Sequence, residues 1–171
     1  MSAQFKNTNE VPTCHGGLEN LDHEYDYSID DIEGEIPKDL LGTFFRNGPG
    51  RQKIGGAPYG HWFDGDGMLC SFSFYEGNAH FKNRYVRTPK YIEETAAQKI
   101  LYRGFGTQIP GGIRKNLLKM GANPANTSAI YHGNHLLALN EGGKPWKLEP
   151  KSLETIGEFT YDGQLQPSMV F

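Results

Sequence analysis

The chain has 171 residues, enough for one domain with a sizeable hydrophobic core. A formal net charge of −3 gives no basic field, so the composition argues against nucleic acid as a partner. Cys14 and Cys70 are too few cysteines for a disulfide framework and favour a reducing, cytoplasmic setting. The 22 glycines and 12% aromatic content are typical of short strands joined by tight turns, so we predict an all-β fold.

The first third of the chain is predicted to move from a flexible arm into strands. Residues 1–20 form the arm, and the acidic segment from Asp22 to Glu35 is extended across a surface. The pattern then predicts strands at Gly42–Arg46, Met68–Tyr75 and Ala79–Arg87. In the second of these, alternation places four residues on the face expected to meet the core: Met68, Cys70, Phe72 and Phe74.

Two turn-rich stretches separate the first two strands. The first strand is expected to break at Asn47-Gly48-Pro49-Gly50, because glycine and proline favour turns. A second corner is expected at Asp64-Gly65-Asp66-Gly67. Carboxylates such as Asp64 and Asp66 can bind calcium, but Met68 and Tyr75 occupy positions where an EF-hand loop needs oxygen ligands. A structural corner with side-chain caps is therefore the favoured interpretation.

The remaining chain is predicted to contain one helix, one long loop and a β-meander. Good helix formers predict the helix over Tyr91–Tyr102, and Gly104 to Asn126 is predicted to be irregular. Strands are expected at Ser128–Tyr131, Leu136–Leu139, Trp146–Pro150 and Thr155–Phe159. This spacing of short strands is typical of propeller blades.

His132 and His135 flank a Gly133-Asn134 hairpin turn between two of these strands. They supply only two of the ligands that a zinc site requires, so a cross-strand pair is the favoured interpretation. The sequence also lacks a phosphate-binding loop, a complete dinucleotide fingerprint and a nucleophile elbow. From the residues alone, a non-catalytic β-rich binding or interaction fragment is as defensible as an enzyme.

Several motifs nevertheless resemble those of one family, the carotenoid cleavage oxygenases, from about Tyr25 to Phe171. These motifs are the segments 42–49 (Gly-Thr-Phe-Phe-Arg-Asn-Gly-Pro), 61–68 (His-Trp-Phe-Asp-Gly-Asp-Gly-Met), 83–88, 125–128 and 136–145. The resemblance implies part of a seven-bladed β-propeller, comprising its first blades. It also implies a non-heme Fe(II) held by four histidines, and cleavage by O₂ of a conjugated double bond in a carotenoid or apocarotenoid.

The resemblance assigns no iron ligand and no catalytic residue to this chain. The first ligand histidine of the family is expected just beyond Phe171, so residues 21–171 resemble an N-terminal portion that ends before the metal site. The 171-residue chain alone is therefore expected to bind no catalytic iron and to cleave no carotenoid.

Three residues are implied to lie near that chemistry. Phe63 and Asn140 are candidates for lining the substrate tunnel, and Asn140 stands where relatives often carry a bulky Trp. Glu141 matches a Glu that accepts the Nδ1–H of an iron-ligating histidine, which orients the ring toward the metal. With no histidine partner in the chain, Glu141 is expected to be unpaired or to reach only backbone or water. The alternative for Glu141 is an exposed turn carboxylate.

A separate candidate surface is the segment 100–120, in which apolar residues are interspersed with cationic ones. Its apolar side chains suit the lipid interface and its cations suit lipid headgroups. The resemblance implies the same, since the family takes lipophilic substrates from membranes. We expect a cytoplasmic protein able to associate peripherally with a membrane; the alternative is that these apolar residues pack onto the propeller.

Overall fold

The computed structural model describes residues 19–165, so the predicted arm lies almost entirely outside the described residues. The described chain is mostly β, with two short α-helices and a 3-10 helix at Trp62–Asp64. Its strands are β1 (Asp26–Ser28), β2 (Gly42–Arg51), β3 (Lys53–Ile54), β4 (Ala57–Pro58), β5 (Asp66–Tyr75), β6 (Asn78–Tyr85), β7 (Ser128–His132), β8 (His135–Leu139), β9 (Trp146–Leu148) and β10 (Thr155–Glu158). The helices are α1 (Pro89–Ala97) and α2 (Ile113–Asn116).

The strands form two four-stranded antiparallel sheets and one small hairpin. The first sheet has the order β1-β6-β5-β2, the second has the order β10-β9-β8-β7, and β3 pairs with β4. The edge strands β2 and β7 contact each other. Two such meanders side by side have the arrangement of neighbouring propeller blades. The extended segment predicted from Asp22 to Glu35 contains β1, which pairs with β6 at the outer edge of the first sheet.

The main hydrophobic core lies between the two sheets. Leu69 of β5 packs there with Leu136 and Ala138 of β8 and with Leu148 of β9. The prediction for β5 was wrong in its orientation, because Leu69 is on the face opposite to Met68, Cys70, Phe72 and Phe74. Met68 is buried, but the other three of that set are only half-buried and line an open groove or the strand end. Alternation separates two faces of a strand, but the neighbouring sheet decides which face becomes core.

Strand β2 is longer than predicted and passes through the Asn-Gly-Pro-Gly stretch. Its pairing with β5 continues to Pro49↔Gly67, and a register shift between Pro49 and Arg51 absorbs the irregularity. The predicted break is therefore wrong. Because β2 is an edge strand of its sheet, a proline without an N–H costs it little pairing.

The predicted hairpin turn at Gly133-Asn134 is confirmed. Gly133 and Asn134 have φ of 55° and 65°, the positive values that a two-residue type I′ turn requires. His132 and His135 form the flanking cross-strand pair. The β5–β6 connection is a two-residue turn at Glu76 and Gly77, again with positive φ at both residues.

Helix α1 begins and ends earlier than predicted. Thr88 is its N-cap, with Oγ1 accepting from the Tyr91 amide, and Pro89 occupies the first turn. The helix ends at Ala97, and its C-cap Gln98 has a left-handed backbone. The Glu94 carboxylate, inside the helix, accepts from the backbone amides of Leu101 and Tyr102 after its end, at 2.9 and 3.0 Å. These side-chain bonds take the place of helical ones, so the predicted extension to Tyr102 is wrong.

A buried charge network, formed by Arg51, Tyr59, Asp66, Lys90 and Glu94, attaches α1 to the first sheet. Asp66 accepts from Arg51 Nε at 2.7 Å and from Lys90 Nζ at 3.0 Å, and Lys90 lies 3.2 Å from Glu94. The Tyr59 hydroxyl lies 2.9 Å from Asp66 and 2.7 Å from Glu94, and its single proton serves one carboxylate at a time. Two cations balance two anions, as burial requires.

The segment predicted to be irregular, Gly104 to Asn126, contains the second short helix, α2. The Asn116 side chain closes this piece of chain upon itself. It accepts from the Ile109 amide at 2.8 Å and donates to the Ile109 carbonyl at 2.9 Å. The prediction of a single helix therefore missed α2, because a four-residue helix is too short to leave a periodic pattern in the sequence.

Candidate functional site

The two sheets meet at an open cleft of about 320 Å³ that contains all three residues singled out from the sequence, namely Phe63, Asn140 and Glu141. The walls come from the end of β2, the 3-10 helix, the start of β7 and the end of β8. The cleft is lined by Arg46, Asn47, Gly48, Pro49, Trp62, Phe63, Asn126, Thr127, Asn140 and Glu141. Residues far apart in sequence thus converge where β2 and β7 touch.

Glu141 follows the end of β8 and presents an exposed carboxylate to this cleft. Its Oε2 accepts from the Thr127 hydroxyl at 2.8 Å. The expectation that Glu141 reaches only backbone or water was therefore wrong. The partner was missed because Thr127 lies 14 residues away, and only the β7–β8 hairpin brings the ends of these strands together. The hydroxyl orients one carboxylate oxygen, and Oε1 is available to a further donor.

Phe63 is carried on the 3-10 helix, whose position is fixed by Asp64. This carboxylate is buried and accepts from the amides of Phe105, Gly106 and Thr107 and from the Thr107 hydroxyl. Asp64 is therefore a structural side-chain cap, as expected of the predicted corner, but Asp66 and Gly67 of that corner are already part of β5. Gly104 is required beside it, since a Cβ there would lie 2.3 Å from an Asp64 oxygen. The ring of Phe63 remains half-exposed to the cleft.

A small aromatic cluster extends from the cleft to the segment 100–120. The His61 ring centroid lies 4.6 Å from that of Phe63 and 5.0 Å from that of Phe105. Phe105 itself is exposed. The cluster therefore connects one wall of the cleft with the apolar surface segment.

Most apolar residues of the segment 100–120 face outward. Leu118 is 93% exposed and Met120 is 89% exposed, and Ile113 and Leu117 are also exposed. Ile100 and Ile109 are buried, and Leu101 is half-buried. Four cationic residues and no carboxylate occur in this segment. No helix within residues 19–165 has the length and apolar character needed to cross a membrane.

The described residues do not by themselves fit a metal ion. Within residues 19–165, no group of three His, Cys, Asp or Glu side chains converges on a common point. The His132–His135 pair gains no third such ligand within those residues. Glu141 fits a different role, that of a hydrogen-bond acceptor for a donor entering the cleft.

The fold and the cleft define a partial β-propeller with a candidate site at its sheet junction, and sequence comparison identifies its class. Residues 18–171 match the family described as retinal pigment epithelial membrane protein. The chain belongs to this family, which includes the carotenoid cleavage oxygenases.

Curated relatives match most of this chain. The apocarotenoid-15,15'-oxygenase of Synechocystis is 49% identical over 144 residues, which are 82% of this chain and 29% of that enzyme. An isoeugenol monooxygenase of Pseudomonas nitroreducens is 38% identical, covering 79% of this chain and 28% of the relative. Resveratrol cleavage oxygenase 1 of Aspergillus fumigatus is 33% identical, covering 94% of this chain and 31% of the relative. The chain thus spans less than a third of the length of each of these relatives.

Solved structures of the Synechocystis oxygenase share the fold. The cobalt-substituted enzyme superimposes with a TM-score of 0.83 at 48% identity, over 88% of this chain and 32% of that one. That enzyme is a seven-bladed propeller, so the predicted fold class is confirmed for the part covered. Other structures of it are variants in which a threonine, a glutamate or a tryptophan is replaced.

Proposed function

We propose that this chain forms the N-terminal part of a non-heme iron oxygenase that uses O₂ to cleave a conjugated double bond of a carotenoid or apocarotenoid. The observation that carries the proposal is the 49% identity to the Synechocystis apocarotenoid oxygenase, combined with the convergence of Thr127, Asn140 and Glu141 in one cleft. In the Synechocystis variants, the replaced tryptophan and glutamate are adjacent and follow the replaced threonine by 13 and 14 residues. Asn140 and Glu141 follow Thr127 by the same distances.

Within this proposal, Glu141 accepts the Nδ1–H of an iron-ligating histidine supplied by another part of the oxygenase. Thr127 holds one carboxylate oxygen, so the other points to the incoming imidazole. Such a bond fixes the ring tautomer and strengthens the imidazole as a ligand. Fe(II) would supply the activation of O₂; this chain supplies the acceptor and the walls of the cleft.

Asn140 is proposed to set substrate preference. The residue before the glutamate is a tryptophan in the Synechocystis enzyme and the smaller, polar Asn140 here. Together with Phe63, it lines the cleft into which the substrate would extend. An Asn140→Trp variant is expected to favour slimmer polyene substrates over bulkier ones.

The proposed function is tested with a chimera in which this chain replaces the corresponding N-terminal part of the Synechocystis apocarotenoid oxygenase. We expect the purified chimera to retain iron and to release two carbonyl products from an apocarotenal, as followed by chromatography. The unmodified Synechocystis enzyme is the positive control. A folded, iron-loaded chimera without cleavage would favour the non-catalytic binding fragment instead.

The segment 100–120 supports a second role, peripheral binding to a membrane surface. Its exposed apolar side chains and its four cations are the combination that lipid interfaces attract. Vesicles containing an anionic lipid should sediment with the wild-type chain, and a Leu117→Asp plus Leu118→Asp variant should remain in the supernatant. A Leu40→Asp plus Leu41→Asp variant changes another exposed leucine pair and should sediment like the wild type. Equal sedimentation of all three would rule the membrane role out.

A further inference from the structure

We propose that Asn47 and Asn126 act as a reciprocal bracket that sets the distance between Phe63 and the Thr127–Glu141 pair. Asn47 extends from β2 to backbone carbonyls at the entry to β7, and Asn126, in that entry segment, extends to backbone carbonyls of the 3-10 turn before β5. Both are positioning residues, and their catalytic significance rests on the proposed function. The bracket itself is a property of this chain and is testable without activity.

Asn126 fixes the turn that carries Phe63. Its Nδ2 donates to the Phe63 carbonyl at 2.8 Å and to the Gly65 carbonyl at 2.6 Å, so both amide hydrogens are used on one turn. Its Oδ1 accepts from the side-chain Nδ2 of Asn140 at 3.4 Å. The side chain is buried, and the next residue is Thr127. One amide therefore connects the Phe63 wall with the strand ends that hold Glu141.

Asn47 connects β2 with the segment that carries Asn126. Its Nδ2 donates to the carbonyls of Ala125 and Ser128 at 2.8 and 3.0 Å. These two carbonyls lie on either side of Asn126 and Thr127. The bracketed segment is thereby held to β2 just where β2 lines the cleft.

The backbones approach closely enough at this point for small errors to matter. The Gly67 amide donates to the Pro124 carbonyl at 2.9 Å, and a Cβ on Gly67 would lie 2.1 Å from the Ala125 carbonyl oxygen. Strand β5 and the segment that leads into β7 are therefore in backbone contact beside the bracket. The asparagine side chains determine where the Phe63 turn and Thr127 lie relative to that contact.

The buried Oδ1 of Asn47 has no hydrogen-bond partner among the described residues. An unpaired buried acceptor is unfavourable, and an apolar side chain would avoid it. Only an amide of this length, however, presents two N–H groups to two carbonyls. The position therefore favours hydrogen-bond geometry over packing, as expected of a positioning residue.

Fluorine NMR on the full 171-residue chain tests the bracket directly. The chain has two tryptophans: Trp62 is beside Phe63 on the bracketed turn, and Trp146 is buried in the main core. After labelling with 5-fluorotryptophan, Asn126→Asp and Asn126→Ala should each shift and broaden the Trp62 resonance and leave that of Trp146 in place. The control is Asn134→Asp. In the wild type, Asn134 Oδ1 accepts a bond from the Tyr131 hydroxyl, which an aspartate oxygen can also accept, so both tryptophan resonances should keep their wild-type positions.

Acidification adds a readout that general destabilisation would not give. A protonated carboxyl at position 126 regains one O–H donor, so the Trp62 resonance of Asn126→Asp should return toward the wild-type position at low pH. In Asn126→Ala it should not. An unchanged Trp62 resonance in both variants, or equal changes at both tryptophans, overturns the bracket.

The chimera then measures the catalytic consequence. Asn126→Ala in the chimera should lower kcat by about 10–100-fold with a smaller change in KM, because a displaced wall misaligns the bound substrate. An inactive chimera carrying the unmodified chain would contradict the proposed function and leave the NMR result to decide the bracket. Wild-type kcat in an active Asn126→Ala chimera would overturn the positioning role.

Discussion

The chain holds carboxylates in two contrasting environments. Asp66 and Glu94 are fully buried, and Lys90 and Tyr59 lie within hydrogen-bond distance of both. Asp66 also accepts from Arg51, and Glu94 also accepts from two backbone amides. Glu141 is exposed in a cleft and accepts one side-chain bond, from Thr127. A buried carboxylate must be fully paired because an unpaired one is too costly, whereas an accessible carboxylate with remaining acceptor capacity can bind something else. The first group is therefore structural, and the acceptor capacity of Glu141 supports its proposed role as a site for a partner.

Proton binding at the buried network supports the same distinction. Burial, together with Asp66 and Glu94 next to the hydroxyl, raises the pKa of Tyr59 well above its ordinary value. Burial acts to lower the pKa of Arg51, but Asp66, Tyr59 and Tyr91 together outweigh it, so the pKa is raised. Both shifts keep these groups in one protonation state across the physiological range, which suits a fixed scaffold.

Removing a carboxylate from the buried network should have the largest effect. Asp66→Ala leaves Arg51 and Lys90 without their shared acceptor, and we expect the free energy of unfolding to fall by about 3–5 kcal/mol. Urea denaturation measures the loss. Asp31→Ala removes an exposed carboxylate and should stay within about 0.5 kcal/mol of wild type. Similar losses for the two variants would contradict the contrast between buried and exposed carboxylates.

Removing only the bridging hydroxyl should have an intermediate effect. Tyr59→Phe keeps the ring but takes the O–H from between Asp66 and Glu94, and the expected loss is about 1–3 kcal/mol. The matched control is Tyr25→Phe at an exposed position, expected to be close to neutral. A neutral Tyr59→Phe would show that the two cations alone satisfy the carboxylates.

Glu141→Gln should barely change stability, because this carboxylate is exposed and has one side-chain donor. We expect a change within about 0.5 kcal/mol in the same denaturation experiment. A loss as large as that of Tyr59→Phe would place Glu141 with the structural carboxylates and remove the basis for treating it as a site residue.

An exposed carboxylate at the edge of the first sheet should show the smallest effect, and only in acid. Hydrogen bonds from His80 and then Lys82 lower the pKa of Asp26 below its ordinary value. The stability that Asp26 contributes is therefore present above about pH 4 and is lost as the pH falls through the lowered pKa. Wild type should lose slightly more stability on acidification than Asp26→Asn, and identical acid profiles would contradict this role of Asp26.

The sequence was sufficient for features that depend on local chemistry or on motif resemblance. The Gly133-Asn134 turn followed from turn preferences, and Phe63, Asn140 and Glu141 were singled out through the motifs that contain them. Long-range side-chain partners were not predictable, because their meeting depends on the fold. Asn47 reaches Ala125 across 78 positions, and Lys90 reaches Asp66 across 24. The buried face of β5 was misassigned for the same reason, since the covering sheet lies about 70 residues further along the chain.

The central claim is that the cleft carboxylate serves an iron centre from outside its ligand set, and iron content in the chimera tests it most directly. With iron measured per protein after dialysis against a mild chelator, Glu141→Gln should weaken retention by about 10–100-fold while the melting curve stays at the wild-type position. Asn140→Ala, a change at the neighbouring cleft residue, should retain iron like the wild type. Full iron retention and full activity in the Glu141→Gln chimera would contradict the account.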